Sequence, residues 1–317
     1  MSWRPKGTVE SARARASALA CAREFFSDRQ VLEVETPILT RHATMDANIE
    51  SVVANLSARD VFLHTSPEYH MKRLLAAGYP DIFQICRVFR GGEVGRYHLP
   101  EFSMVEWYRL GFDLQAIIRD SVEFINAILG DRLVTTESIA LSYQQAFEKA
   151  VDLNPFDAKL AEIVKTVGAD DDLVGSLGED RDAWLDLAMA SLVAPTFEAH
   201  QLTVVYHYPM TQASLARACP ENSQLADRFE IYLGELELAN GFVELTDATV
   251  QLQRFERDQH LRKENDRTIH EIDSTLIDAL REGLPQCAGV AIGLDRLLML
   301  KLNANHINAV TTFVPGN

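Results

Sequence analysis

Three short segments of this 317-residue chain carry residue types suited to holding an anion, a divalent cation and an ammonium group. The first runs from Phe83 to Tyr108 and reads as strand, long loop, strand. Strand side chains alternate between faces, so Phe102, Met104, Glu106 and Tyr108 share one face of the second strand. On the first strand Gln84, Cys86, Val88 and Arg90 do the same. One sheet face then presents an arginine, an aromatic plate, a carboxylate and a phenol. A guanidinium there can grip a phosphate through two parallel hydrogen bonds, and a planar ring can stack on a nucleobase. Glu106 can bind an ammonium group. An ordinary hairpin with solvated charges is the competing reading.

The second segment, Phe229 to Glu244, contains Leu233-Gly234, which suits a two-residue hairpin turn. Counting outward from that turn sets Glu230 opposite Glu237. Carboxylates so opposed, with Cβ atoms about 5 Å apart, repel one another. A divalent cation removes the conflict, and carboxylate oxygens suit Mg²⁺ carried by ATP phosphates. Two solvated acids on an exposed face are the alternative. Asn240 and Glu244 have the opposite parity to Glu237, so they join its site only through a bulge, expected near Gly241. The third segment, Gly289 to Arg296, alternates Gly289, Ala291 and Gly293 on one face and then opens an apolar helix. A face without bulk suits a ligand lying against the backbone. Arg296 at a helix start opposes the macrodipole and calls for an anion beside it, whether a ligand, Asp295 or another acid.

These segments need a scaffold. Helical patterns are expected over Ser11 to Asp28, Tyr69 to Ala77, Leu114 to Leu129, Tyr143 to Ala150, Thr249 to Arg262 and Ser274 to Glu282. Strands are expected over Val31 to Pro37, Val61 to Thr65, Ile82 to Arg90, Glu101 to Arg109, Leu202 to Tyr208, Arg228 to Leu233, Glu235 to Leu245 and Gly289 to Leu294. The strands come mostly in neighbouring pairs with helices between the pairs. That arrangement predicts an α+β fold with an antiparallel or mixed sheet rather than a doubly wound one. Between about Gly130 and Gln201 helices and acidic loops take over, an expected insertion within a single domain, although length alone suggests about two domains.

Bulk properties exclude several classes. Thirty basic residues stand against 46 acidic ones, a net charge of -16, which disfavours sequence-independent binding to phosphate backbones. The four cysteines form no CxxC pair, so neither a zinc knuckle nor a redox dithiol is indicated, and reduced cytoplasmic thiols are expected. Arg13, Arg15 and Arg23 interrupt the alanine-rich start, and no stretch approaches the roughly 18 uncharged apolar residues of a membrane span. Neither GxxxxGK[ST] nor GxGxxG occurs, so side chains must hold any nucleotide.

In this order the three segments, with the helix and strand ending at Pro37, resemble the signature motifs of class II aminoacyl-tRNA synthetases. Ser66-Pro67-Glu68, Pro100-Glu101-Phe102, Glu237 to Phe242 and Glu244 to Asp247 are similar to the lysyl-tRNA synthetase catalytic domain over nearly the whole chain. The resemblance implies a class II catalytic core, an antiparallel sheet flanked by helices. It implies that Arg90 holds the α-phosphate of ATP, Phe102 stacks on adenine, Arg296 meets the γ-phosphate, and Glu230 and Glu237 hold Mg²⁺. Gly92, Glu93, Leu99, Leu238 and Gly293 complete the implied nucleotide site. Ser66, Pro67, Glu68, Glu106, Tyr108, Asn240, Glu244 and Ala291 form the implied amino-acid site. The Ser11 to Pro37 segment implies a homodimer.

The first catalytic helix is expected to begin by about residue 10, so the OB-fold anticodon domain of true lysyl-tRNA synthetases is not expected. The truncated form resembles free-standing synthetase paralogues that join β-lysine to a lysine of elongation factor P. Ser66 in place of alanine and Ala291 in place of glycine fit that subgroup. Two departures oppose full activity: Gly92 stands where Arg-x-Glu places an acid, with Glu93 one residue later, and Leu99 replaces an asparagine. The expected chemistry is formation of an aminoacyl-adenylate and transfer to elongation factor P, with tRNA a poor acceptor. A small-molecule amide synthetase and a non-catalytic amino-acid-binding or tRNA-binding paralogue are the alternatives.

Overall fold

The computed structural model describes residues 3–56 and 59–314. Its centre is a large sheet in the order Leu32–Glu33, Ile82–Phe89, Glu101–Leu110, Cys287–Gly293, Leu236–Val243, Asn222–Leu233, Leu202–Pro209, Ile139–Ser142. The six inner strands pair antiparallel, and only the two outermost pairings are parallel. This is the expected α+β architecture, a mainly antiparallel sheet flanked by helices.

Alternation within single strands decides which face meets the helices. In Glu101–Leu110, Val105 and Trp107 are fully buried in the main core with Phe26, Phe83 and Phe124. The helix Leu114–Leu129 covers that face with Ile117, Phe124, Ile125 and Ile128, all fully buried. Each such side chain contributes about 1.5–3 kcal/mol by leaving water. Asp113 starts the helix by accepting a hydrogen bond from the Ala116 N–H at 2.8 Å, and Gly130 ends it with φ 56°. The N-terminal helix Val9–Asp28 packs Ala18, Ala22, Phe25 and Phe26 into the same core, capped by a reciprocal Thr8 and Ser11 pair.

The opposite face keeps Met104, Glu106 and Tyr108 for the site. It is walled by the helix Glu68–Ala76, whose Met71 and Leu75 pack with Phe255, Leu276 and Ile277 of the helices Ala248–Glu264 and Ser274–Gly283. Between Gly130 and Gln201 four helices build a satellite cluster around Tyr143, Phe147, Trp184 and Leu185, closed by Val205, Tyr208 and Tyr232 from the sheet.

Several elements depart from expectation. The strand expected to Pro37 is only Leu32–Glu33, and the chain then gives Leu39–Thr40 to a separate sheet with Val52–Leu56 and Arg59–Leu63. Ile139–Ser142 joins the sheet edge rather than lying in a loop. The Asn222–Leu233 strand starts six positions before Arg228, because its exposed polar beginning pairs with Ala218–Cys219.

Candidate active site

Three adjacent strands form the floor of the site. Pairing sets Tyr108 beside Gly289, Glu106 beside Ala291 and Met104 beside Gly293, while Phe242 and Asn240 flank Gly289 and Ala291 on the other side. The small-residue stripe is therefore the middle of the floor, bordered by polar side chains of the same parity. A Cβ on Gly289 would fall 2.5 Å from Tyr108 Cε1 and 2.6 Å from Glu244 Oε1. Glycine there lets the phenol and the carboxylate close over the strand. The neighbouring pairs Gln84–Glu106, Cys86–Met104 and Val88–Phe102 put both expected same-face sets on one face of the sheet.

Above this floor lies a cavity of about 210 Å³. Arg90, Glu93, Leu99, Phe102, Glu237, Leu238, Gly293 and Arg296 line it, as do Ser66, Glu68, Glu106, Tyr108, Asn240, Glu244 and Ala291. Pro67, Gly92 and Glu230 do not. Pro67 is buried at the N-terminus of the helix that presents Glu68. Gly92, exposed and with φ 78°, turns the loop so that Glu93 rather than residue 92 faces inward. From Phe102 to Tyr108 the strand covers about 20 Å at roughly 3.4 Å per residue, so the site has two separated ends.

The first end is cationic. Arg90 lies with its guanidinium carbon 5.2 Å from the Phe102 ring centre, and its buried Nε has no hydrogen-bond partner. Its Nη1 is 3.7 Å from Glu93 Oε1, too long to satisfy it. A buried donor left open beside an aromatic plate fits a phosphate next to a base. Arg296 donates from Nη1 to the Glu237 carbonyl at 2.8 Å, and its Nη2 lies 2.6 Å from His98 Nε2. Burial, and next the charge of Arg296, lower the basicity of His98, leaving Arg296 to supply the positive charge. Asp295 is not its partner: that carboxylate takes the Ser103 N–H at 2.6 Å and the guanidinium of Arg15. The nearest acid to Arg296 is Glu237, at 3.6 Å.

The hairpin that carries Glu237 folds differently from the count made on sequence. Gly234 and Glu235 are the turn residues, since Leu233 pairs with Leu236, and Gly234 supplies φ 56° at the first position. Glu230 consequently faces Asn240 rather than Glu237, which faces Tyr232. The bulge needed to bring Glu237 and Asn240 to one site exists, at Leu238 rather than near Gly241. Gly241 instead admits the Phe229 ring, 2.7 Å from where a Cβ would sit. Glu230 accepts hydrogen bonds from Tyr208 at 2.6 Å, Arg228 at 2.6 Å and Tyr232. The walls of the cleft, and then the nearby Glu230 charge, raise the Glu237 carboxyl above its ordinary range. Both Glu230 oxygens are thus taken by Arg228 and the two tyrosines, and Glu237, which lines the cavity, is the carboxylate of the expected pair left to meet a divalent cation.

The second end is anionic. Ser66 Oγ donates to Glu106 Oε2 and Tyr108 Oη to Glu106 Oε1, both at 2.7 Å. Burial, and then the neighbouring Glu68 charge, push Glu106 up to about 7. Burial pushes Glu244 up to about 8, with the Lys72 ammonium pulling the other way. Lys72, which the sequence reading passed over, is 1% exposed and sits 2.7 Å from Glu68 Oε1 and 2.5 Å from Glu244 Oε2. The spacing of Glu68 and Lys72 by four on a helix was the available signal. His98 and Arg228 were missed as well, having no partner evident in sequence.

Away from the cavity, His207, Cys219 and Asp227 bring possible ligand atoms within 4.8 Å of one another. Arg217 Nε donates to Asp227 at 2.8 Å and already neutralises its charge. No helix among the described residues is long and apolar enough to cross a membrane.

Comparison with known proteins places this geometry. The chain matches the family model of tRNA synthetases class II (D, K and N) over residues 1–316. It is 43% identical to the elongation factor P (R)-β-lysine ligase of Pasteurella multocida, over 98% of this chain and 97% of the relative. The ligases of the same name from Haemophilus ducreyi and Erwinia tasmaniensis are each 41% identical, over 99% and 98% of this chain and 96% and 97% of theirs. A cavity with an arginine-rich end and a carboxylate-rich end thus lies in a chain that belongs to the class II tRNA synthetases of the D, K and N type, a family of ATP-using ligases.

Proposed function

We propose that this chain activates (R)-β-lysine with ATP and transfers it to a lysine side chain of elongation factor P. The observation that carries the reading is the two-ended cavity: Arg90 and Arg296 at one end and Glu68, Glu106 and Glu244 at the other. Relatives of nearly the same length, 41–43% identical, are named elongation factor P (R)-β-lysine ligases, which supports the reading.

In the first step a carboxylate oxygen of the amino acid attacks the α-phosphorus of ATP. The bond to the bridging oxygen breaks, and pyrophosphate leaves with its electron pair. Arg90 is assigned to the α-phosphate, Phe102 to the adenine ring and Arg296 to the γ-phosphate, so that positive charge meets the oxygens where negative charge grows. Glu237 would hold Mg²⁺, which supplies charge neutralisation of the triphosphate, while Glu230 stays behind it on Arg228, Tyr208 and Tyr232. Glu93 and Leu238 are assigned to the nucleotide end with Leu99 and Gly293, and Gly92 to the turn that directs Glu93 inward. Ser66, Asn240 and Ala291 are assigned to the acyl group, with Pro67 fixing the start of the Glu68 helix.

At the other end the ammonium groups of β-lysine replace the water they lose with contacts to Glu68, Glu106, Tyr108 and Glu244. In the second step the neutral amine of the acceptor lysine attacks the adenylate carbonyl and AMP leaves. We also assign the chain to a cytoplasmic homodimer. Leu32, Ile38, Leu39, Val53 and Leu56, each 40–56% exposed, supply an apolar surface at the edge strand and the small sheet. ATP–pyrophosphate exchange with (R)-β-lysine and α-lysine tests the activation step. Exchange with β-lysine in preference to α-lysine is expected, and no exchange with either removes the reading.

A further inference from the structure

The anionic end of the cavity contains one more charged group than the proposed chemistry uses. Lys72 is on the helix that presents Glu68, is 1% exposed, and reaches across to Glu244 on the segment after the Leu236–Val243 strand. Its Nζ also lies 5.4 Å from the Phe242 ring centre. No solvent contact explains a lysine in such a place, and burial alone opposes its charge. The two carboxylates overcome that burial and keep Lys72 protonated.

The contact is one oxygen each. Lys72 takes Oε1 of Glu68 and Oε2 of Glu244. Neither Glu244 oxygen has a well-aligned hydrogen bond: Oε2 is held by the close ion pair with Lys72, and Oε1 is left buried beside Gly289, on the floor of the cavity. Glu106, held by Ser66 and Tyr108, is the third acid. With all groups ionised, three carboxylates and one ammonium leave two negative charges in excess. An acyl group with two ammonium groups, its carboxylate spent in the adenylate, brings two positive charges. We infer that Lys72 is an internal counter-ion of the amino-group subsite, clamping Glu68 and Glu244 by one oxygen each and setting the charge of the pocket to match a diamino acid.

This rests on the proposed activation of a diamino acid and adds a positioning residue to it. The groups facing Lys72 are Glu68 and Tyr69 from its own helix, Glu244 and Phe242 from the hairpin side, Glu106, hydrogen-bonded to Tyr108, from the Glu101–Leu110 strand, and Cys287 from the neighbouring strand. Removing the ammonium takes away the charge that holds back protonation of Glu244, whereas Glu106 keeps the hydrogen bonds of Ser66 and Tyr108. Lys72→Met should therefore move the pH at which KM for β-lysine falls upward by one unit or more. At pH 7 its KM should rise about tenfold, while kcat at saturating substrate stays within about twofold. Lys72→Arg, which keeps the charge, should retain the wild-type pH dependence.

ATP–pyrophosphate exchange across pH 6 to 9.5 reads all of these values. A Lys72→Met enzyme with an unshifted KM profile and a lowered kcat overturns the inference, since it assigns Lys72 to fold stability alone. If Lys72→Met does not fold, the wild-type enzyme carries the test through analogues lacking one amino group. Each deletion should lower kcat/KM at least tenfold, and indifference to either group overturns the charge match. Absence of wild-type exchange with any diamino acid is a different result, removing the proposed function itself.

Discussion

Arg90 and Arg296 act on the same ligand from different elements, so their removal should be read in the transition state rather than in folding. Arg90 has a buried Nε without a partner, and Arg296 is 20% exposed, so alanine at either site removes positive charge without opening the main core. Each substitution should cost roughly 3 kcal/mol in ATP–pyrophosphate exchange, or about two orders of magnitude in rate. Near-full exchange in either variant takes that arginine out of the mechanism. The carboxylates make a second prediction. With Glu106 up to about 7 and Glu244 up to about 8, the empty pocket holds protons that a cationic substrate must displace. KM for the diamino acid should fall as pH rises from 6 to 8.5. The linkage has the opposite sign for the free protein: carboxyls raised in the folded state add stability below about 4.5, their ordinary range, and that stability is lost as pH rises through 7 and 8. Melting of the ligand-free protein should fall over that window, and β-lysine with ATP should oppose the fall.

At the scale of elements, the sequence exposed what depends on parity and concealed what depends on register. The faces of Ile82–Phe89, Glu101–Leu110 and Cys287–Gly293 were legible because alternation alone determines them. The Glu230 pairing was not, because Gly234 fits either turn position and the bulge at Leu238 carries no glycine or proline to mark it. The sheet of Leu39–Thr40, Val52–Leu56 and Arg59–Leu63 was only partly legible, its strands being short and half exposed. Lys72 remained hidden because one lysine on an amphipathic helix looks like a solvated charge until the opposite wall is known. The floor itself is open to test. Gly289→Ala forces a Cβ to within 2.6 Å of both Tyr108 and Glu244, which are buried and cannot both retreat. The substitution should cost about 1–3 kcal/mol of stability and should raise KM for β-lysine more than KM for ATP. An unchanged β-lysine KM would show that the stripe does not bear the amino-acid end.

For the whole molecule, the N-terminal helix gives its apolar face to the chain's own core through Ala18, Ala22, Phe25 and Phe26. The proposed contact with a second copy uses the exposed Leu32, Ile38, Leu39, Val53 and Leu56. Sedimentation should find a dimer at micromolar concentration, and Leu39→Asp should shift it toward monomer; a wild type that is monomeric throughout contradicts the assignment. The acidic balance of -16 also bears on the acceptor, because it gives little long-range attraction for a polyanion. A protein loop that presents a lysine can supply charge complementary to this surface. The central claim therefore comes to one transfer measurement: incubation with ATP and labelled (R)-β-lysine in the presence of either elongation factor P or total tRNA. Label on elongation factor P, with little on tRNA, is the predicted result, whereas efficient charging of tRNA with none on the protein would contradict it.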